Sequence, residues 1–213
     1  MPIHLPVLGC LLALAGVIVS EHVHLRMGNA LFKPLASLAF LLAALAAGAL
    51  ATSHGRTVFV GLSLCAVGDV VLLCRSRTAL RVGMGLFLLG HLAYGTAFLR
   101  AGVSGPTTGV AALGILLPAV LVLVLLYPHV PRALRVPVVG YVAVISAMVA
   151  LAWGHVAGAG PLQVGVGATL FWVSDVGVAR DRFVRRSSLG RTLYLPLYYA
   201  AQLLLATSVA AAG

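Results

Sequence analysis

The sequence predicts an all-α integral membrane protein with eight transmembrane helices, and three observations carry that reading. Of the 213 residues, 62% are hydrophobic and 8% charged, with a mean hydropathy of +1.11, a composition suited to lipid rather than water. Apolar runs long enough to cross a bilayer, about 20 residues in a helix, recur eight times along the chain. Twelve of the 14 Lys and Arg fall in the four loops that eight spans put on one side, leaving Arg56 and Arg100 on the other. A missing or extra span would scramble that split, so the positive-inside rule supports eight helices with both termini outside the cytoplasm.

The first run, 4–20, follows Met1-Pro2-Ile3-His4, which has neither a basic stretch nor a small-residue cleavage pattern, so it reads as a retained span. The second, 31–52, is expected to open at Pro34. The others are expected at 57–74, 82–99, 110–127, 136–154, 161–179 and 192–211, with Pro137 opening the sixth. Breakers separate them: Ser53-His54-Gly55, the Gly102 to Gly109 stretch, Pro128 with Pro131, and the Gly158 to Pro161 stretch. The chain reads as one polytopic domain, 1–213, in a cell (inner) membrane. Arginines such as Arg75, Arg180 and Arg186 then serve as loop charges beside anionic headgroups, so the net charge of +10 does not imply nucleic-acid binding. Cys10, Cys65 and Cys74 show no paired spacing and are expected to be reduced, packed thiols.

The chain has four acids, Glu21, Asp69, Asp175 and Asp181, and two of them sit inside apolar runs. Ionisable residues there are costly and mark functional sites by default. Their surroundings repeat. Val60-Gly61-Leu62-Ser63-Leu64-Cys65-Ala66-Val67-Gly68-Asp69-Val70 matches the segment from Val166 to Val176, which ends Phe171-Trp172-Val173-Ser174-Asp175-Val176, at six of eleven positions. The halves 1–105 and 106–213 are therefore candidate repeats of four parallel-related helices. Arg75 and Arg180 follow the two aspartates by six and five residues, which puts both carboxylates about 8 to 9 Å inside one boundary. They can face one cavity toward the cytoplasmic leaflet.

Other polar side chains fall at related depths. His91 and Tyr94 share a helix face, as do Tyr198 and Gln202. Tyr141 lies near the same boundary, Ser63 and Ser174 flank the aspartates, and Lys33, the sole lysine, sits where it can snorkel to headgroups or meet a phosphate. A lone tyrosine can equally be a belt anchor, and Gln202 can be interhelical glue. No Gly-x-Ser-x-Gly elbow, His-Glu-x-x-His helix, phosphate loop or dinucleotide fingerprint occurs.

Lys33-Pro34-Leu35, Gly61-Leu62-Ser63 running to Gly68-Asp69-Val70-Val71-Leu72, Phe87-Leu88-Leu89-Gly90-His91-Leu92-Ala93-Tyr94, Phe171 with Ser174-Asp175, and Tyr198-Tyr199-Ala200-Ala201-Gln202 form an ordered set. Over residues 30–205 this set resembles the YhhN-like family of multi-span membrane proteins, which includes the lysoplasmalogenases. The first helix and the 100–135 segment carry no matching motif. The resemblance implies hydrolysis of the vinyl ether bond of a lysoplasmalogen to a fatty aldehyde and a glycerophospho-alcohol, with Asp69 and Asp175 matching the family's essential aspartates.

Such a reaction suits two carboxyl groups in a site of low polarity. One, protonated, gives its proton to carbon, and the other, ionised, steadies the oxocarbenium ion and orients water. No metal or cofactor is required. His91 and Tyr94 could position water, and Lys33 with nearby arginines could hold the phosphate. Paired carboxylates also suit a proton- or cation-coupled transporter of small molecules or lipids. A third reading keeps hydrolysis but adds a metal on Asp69, Asp175 and His91. The topology is directly testable: a reporter fused to the C-terminus is expected outside the cytoplasm, and a cytoplasmic signal would overturn the layout.

Overall fold

The computed structural model describes residues 2–212 with the exception of Arg75 and Arg186, so two of the charges behind the topology argument lie outside the described residues. Among the described residues there are eight α-helices and no strand. They are α1 His4–His22, α2 Arg26–Ala46, α3 Ser53–Val71, α4 Arg77–Ala101, α5 Gly105–Leu126, α6 Arg135–Ala157, α7 Leu162–Phe183 and α8 Ser188–Ser208. Seven of these, α1 to α7, are long and apolar enough to cross a membrane. α8 matches them in length but carries Arg191, Tyr194, Tyr198, Tyr199 and Gln202. It packs on α1, α2, α3 and α7, so these side chains meet protein and are spared contact with lipid.

Local chemistry sets the helix starts. Thr52, Ser76 and Ser187 stand in extended backbone before α3, α4 and α8, and each hydroxyl accepts a hydrogen bond from a first-turn N–H. Gly48 and Gly102, at φ +84° and +99°, turn the chain after α2 and α4 in a backbone region that L side chains avoid. α2 departs from expectation: it begins at Arg26, and Pro34 lies inside it instead of opening it. One face of its first turns borders a cavity, so polar residues there are tolerated and hydropathy alone places the start too late. Pro137 falls in the first turn of α6, where the missing N–H costs nothing. Cys10 and Cys65 are buried free thiols, but Cys74 is exposed, because α3 ends at Val71 and the chain has left the bundle three residues later.

Consecutive helices pair as α1·α2, α3·α4, α5·α6 and α7·α8, and α4·α6 and α2·α8 contacts join the two halves. α5 is the outlying member. Only its Ala119 and Leu126 are buried, while Leu113 and Leu117 are 71% and 76% exposed, as a lipid-facing helix requires. Apolar burial does not drive helices together within lipid, so close backbone approach and shape must. Glycine supplies it. An added Cβ at Gly61 would lie 2.6 Å from the Tyr94 ring, and one at Gly90 would lie 2.8 Å from Cys65 Sγ and 3.3 Å from the Gly61 carbonyl oxygen. In the other half, Gly177 lies under Tyr194 and Gly167 against α8. The glycine repeated at 61 and 167 thus has a packing role in each half. Gly61→Leu or Gly90→Leu is expected to destabilise the bundle by about 1–3 kcal/mol through overpacking, read as a lower unfolding midpoint in detergent. Gly114→Ala, in open space on α5, should leave that midpoint unchanged or slightly higher.

Candidate active site

Asp69 lies in the last turn of α3, and its Oδ2 accepts two hydrogen bonds at 2.7 Å, from the Ser37 hydroxyl on α2 and the Tyr198 hydroxyl on α8. Asp175 lies two turns inside the end of α7. Its Oδ2 accepts a 2.5 Å hydrogen bond from the Tyr141 hydroxyl on α6. His91 Nε2 on α4 stands 3.2 Å from the same oxygen and 3.0 Å from the Tyr141 oxygen. The two acids therefore have matching surroundings: a hydroxyl from the preceding helix, and a ring donor from the fourth helix of the opposite half. An ionised side chain at membrane depth costs about 2.5–3.5 kcal/mol. Hydrogen bonds to charged groups return about 1.5–3 kcal/mol each, so two donors per carboxylate suffice to hold it. α7 runs on to Phe183, past Arg180, so Asp175 stands farther from its helix end than Asp69 does from its own.

Both carboxylates line one cavity of about 450 Å³. Its lining comes from the ends of the helices that meet the loops after α1, α3, α5 and α7, the arginine-rich end of the bundle. The lining divides by chemistry. Toward α4, α5 and α6 it is apolar, with Met84, Phe87, Leu126, Val138 and Ile145; toward α1, α2 and α8 it is polar, with Glu21, Arg26, Asn29, Lys33 and Arg191. All four acids of the chain line this space. Beneath it, Phe171 is fully buried and touches both acid clusters, its ring centroid 4.6 Å from that of His91 and 5.4 Å from that of Tyr198. One aromatic ring thus fixes a donor for each carboxylate.

The remaining expected residues scatter. Lys33 lines the cavity and forms no ion pair among the described residues. Ser174 also lines it, but its hydroxyl donates to the Tyr194 carbonyl and ties α7 to α8. Tyr94 and Gln202 bond each other at 2.9 Å, linking α4 to α8 outside the cavity lining. His91 and Tyr94 share a helix face, yet only His91 reaches an aspartate. Ser63 is not among the lining residues, because its hydroxyl turns back to the Phe59 carbonyl on its own helix. Ser37, by contrast, was not anticipated; its signal is that it follows Lys33 by one turn on the same face of α2. Asp181 and Glu21 were not singled out either, since they fall outside the expected apolar runs; both line the cavity and approach Arg191, at 3.9 and 2.8 Å. Among the described residues no group of three His, Cys, Asp or Glu is arranged to hold a metal ion. His91 and Asp175 meet, while Asp69 is held instead by two hydroxyls.

Comparison with known proteins agrees with this arrangement of motifs. The chain is 34% identical over 188 residues to lysoplasmalogenase TMEM86A of Bos taurus, covering 82% of this chain and 74% of that protein. It is 34% identical over 171 residues to lysoplasmalogenase TMEM86A of Homo sapiens, covering 75% and 67%. With human lysoplasmalogenase TMEM86B the identity is 35% over 143 residues, covering 67% and 58%. No solved structure matches the chain. The model of the YhhN family matches residues 28–209, a range that runs from the first turn of α2 to the end of α8 and takes in every residue around the two aspartates, and the chain belongs to that family.

Proposed function

We propose that the protein is a membrane-embedded hydrolase of lysoplasmalogenase type that cleaves the vinyl ether bond of a lysoplasmalogen by acid catalysis between Asp69 and Asp175. The observation that carries this reading is the single cavity lined by both carboxylates, apolar on one side and charged on the other. A lysolipid has that same polarity. Its alkenyl chain fits the α4–α5–α6 side, its phosphate lies toward Lys33, and the vinyl ether falls where the two sides meet. The relatives named as lysoplasmalogenases support the substrate class.

In this mechanism one aspartate, protonated, is the proton donor while the other stays ionised, and Asp175 can take the first role. It gives its proton to the vinyl carbon remote from oxygen, forming an oxocarbenium ion, and His91, 3.2 Å away, can relay back to it the proton that Asp69 takes from the attacking water. Asp69, whose Oδ2 is held by two hydroxyls, is the ionised partner in that arrangement, steadies the cation and takes a proton from the attacking water. Water adds to the oxygen-bearing carbon, and the hemiacetal collapses to aldehyde and glycerophospho-alcohol. Tyr141 and Tyr198 position the carboxylates and so act through them. The charge bias places the mouth on the cytoplasmic side in this reading, and the matched donor sets around the two acids support halves 1–105 and 106–213 as pseudo-repeats.

Purified protein should release aldehyde from a lysoplasmalogen, and Asp69→Asn and Asp175→Asn should each lower turnover at least about 1,000-fold while the unfolding midpoint holds. Ser63→Ala, remote from the cavity, should stay within about twofold of wild type. Normal turnover in both Asn variants would remove the mechanism. In deuterated water, aldehyde trapped at once by reduction should carry one solvent deuterium on carbon 2. A product without it would exclude protonation at carbon.

A further inference from the structure

The helices on the apolar side of the cavity do not all pack on one another. α5 packs on α6 and, more lightly, on α7, while α4 packs on α3 and α6. A short turn joins α4 to α5, yet the two do not form a packed pair. Along the seam between them the cavity lining passes from Met84 and Phe87 on α4 to Val122 and Leu126 on α5. Met84 is the one α4 side chain, among the described residues, that packs against the small apolar cluster of Leu126, Val130 and Val138. It is half-buried, and Gly85 beside it faces open space. A thioether chain is unbranched and turns about three bonds, so it yields where a branched side chain would not. From the α4 side, then, the seam is closed by one adaptable side chain and can open without movement of a helix. Below the acids there is no such weakness, since Phe171, Tyr94 and Gln202 fill the bundle there and are fully buried.

Spacing along α4 gives a ruler. His91, which meets Asp175, and Met84 stand seven residues apart on one face, or about 10 Å along the axis. With bonds near 1.5 Å an extended hydrocarbon chain advances about 1.25 Å per carbon, so an eight-carbon chain covers about 9 Å and a sixteen-carbon chain about 19 Å. With the vinyl ether at the aspartates, the shorter chain ends at Met84 and the longer one runs on past it. Arg81, exposed and three residues nearer the start of α4, puts Met84 about 4 to 5 Å inside the headgroup level. Val82 and Leu125, on α4 and α5 beside the lining residues, are exposed as lipid-facing side chains are. A chain that passes the seam therefore emerges among the chains of the bilayer.

We propose that the seam between α4 and α5 is the passage by which the substrate's alkenyl chain leaves the cavity for the bilayer, and that Met84 gates it, so that the protein accepts chains longer than its cavity. The proposal rests on the hydrolase reading above for its substrate. The experiment compares kcat/KM for lysoplasmalogens with sixteen-carbon and eight-carbon alkenyl chains. Met84→Trp, which fills the seam, is expected to lower the ratio of long-chain to short-chain kcat/KM at least about tenfold, through KM more than kcat. Leu92→Trp, on the lipid-facing side of α4, should leave that ratio as in wild type. A Met84→Trp variant that loses both substrates in equal proportion, or loses neither, would overturn the passage. A saturated-ether lysolipid, which has no vinyl bond to cleave, tests the path without turnover when it carries a photoreactive diazirine near the tenth carbon. It is expected to label Met84, Val122 and Leu126, and an excess of the unlabelled ether lysolipid should suppress that labelling. If no lysoplasmalogen is cleaved but this suppressible labelling appears, the hydrolase reading fails and the passage stands. Labelling that misses these residues, or that the competitor leaves unchanged, would remove the passage whatever the turnover.

Discussion

A carboxylate below the level of the lipid headgroups must find its hydrogen-bond donors inside the protein, and much of this bundle is arranged around meeting that demand twice. Asp69 on α3 draws donors from α2 and α8, and Asp175 on α7 draws them from α6 and α4. Six of the eight helices are thereby tied to two side chains. The ties cross between halves, since each acid takes its ring donor from the half it does not belong to. Phe171 reinforces the arrangement by packing against both ring donors at once. Separating the halves would strand both acids without a full set of donors, so the polar site and the packing of the bundle stabilise one another.

Close packing makes those donors reachable. The glycines at 61, 90, 167 and 177 let α3 approach α4 and α7 approach α8, with tyrosine, leucine or cysteine side chains lying over the missing Cβ positions. In lipid, where no solvent expels apolar surface, such contacts and interhelical hydrogen bonds supply most of the association energy. The Tyr94–Gln202 bond belongs to this class. It secures α4 to α8 beside the site and leaves His91, three residues away on the same helix, in a fixed place against Asp175.

The cavity gains its character from which helices border it. α4, α5 and α6 give it apolar side chains and α1, α2 and α8 give it charge, an asymmetry that a lysolipid shares. α5 contributes little to the bundle core and presents most of its surface to lipid. The apolar side of the cavity therefore lies against the helix least enclosed by others, an arrangement suited to a chain that comes from and returns to the bilayer.

Residue order alone settled the class of the protein, because apolar length and the sidedness of arginine follow from transfer between water and lipid and need no knowledge of neighbours. It also singled out Asp69 and Asp175, since a charge inside an apolar run stands out in one dimension. Tertiary structure decided what those acids touch. Ser37 and Tyr198 lie 32 and 129 residues from Asp69, and nothing local marks them as its donors. Ser63 shows the converse: it is close to Asp69 in sequence, yet a serine in a helix can satisfy its hydroxyl on the preceding turn, and this one does. The start of α2 was placed too late, and α8 is less apolar than the other spans, for one reason. Hydropathy assumes that a spanning helix faces lipid, whereas these segments face a cavity and other helices, where polarity is tolerated because protein groups or a ligand answer it.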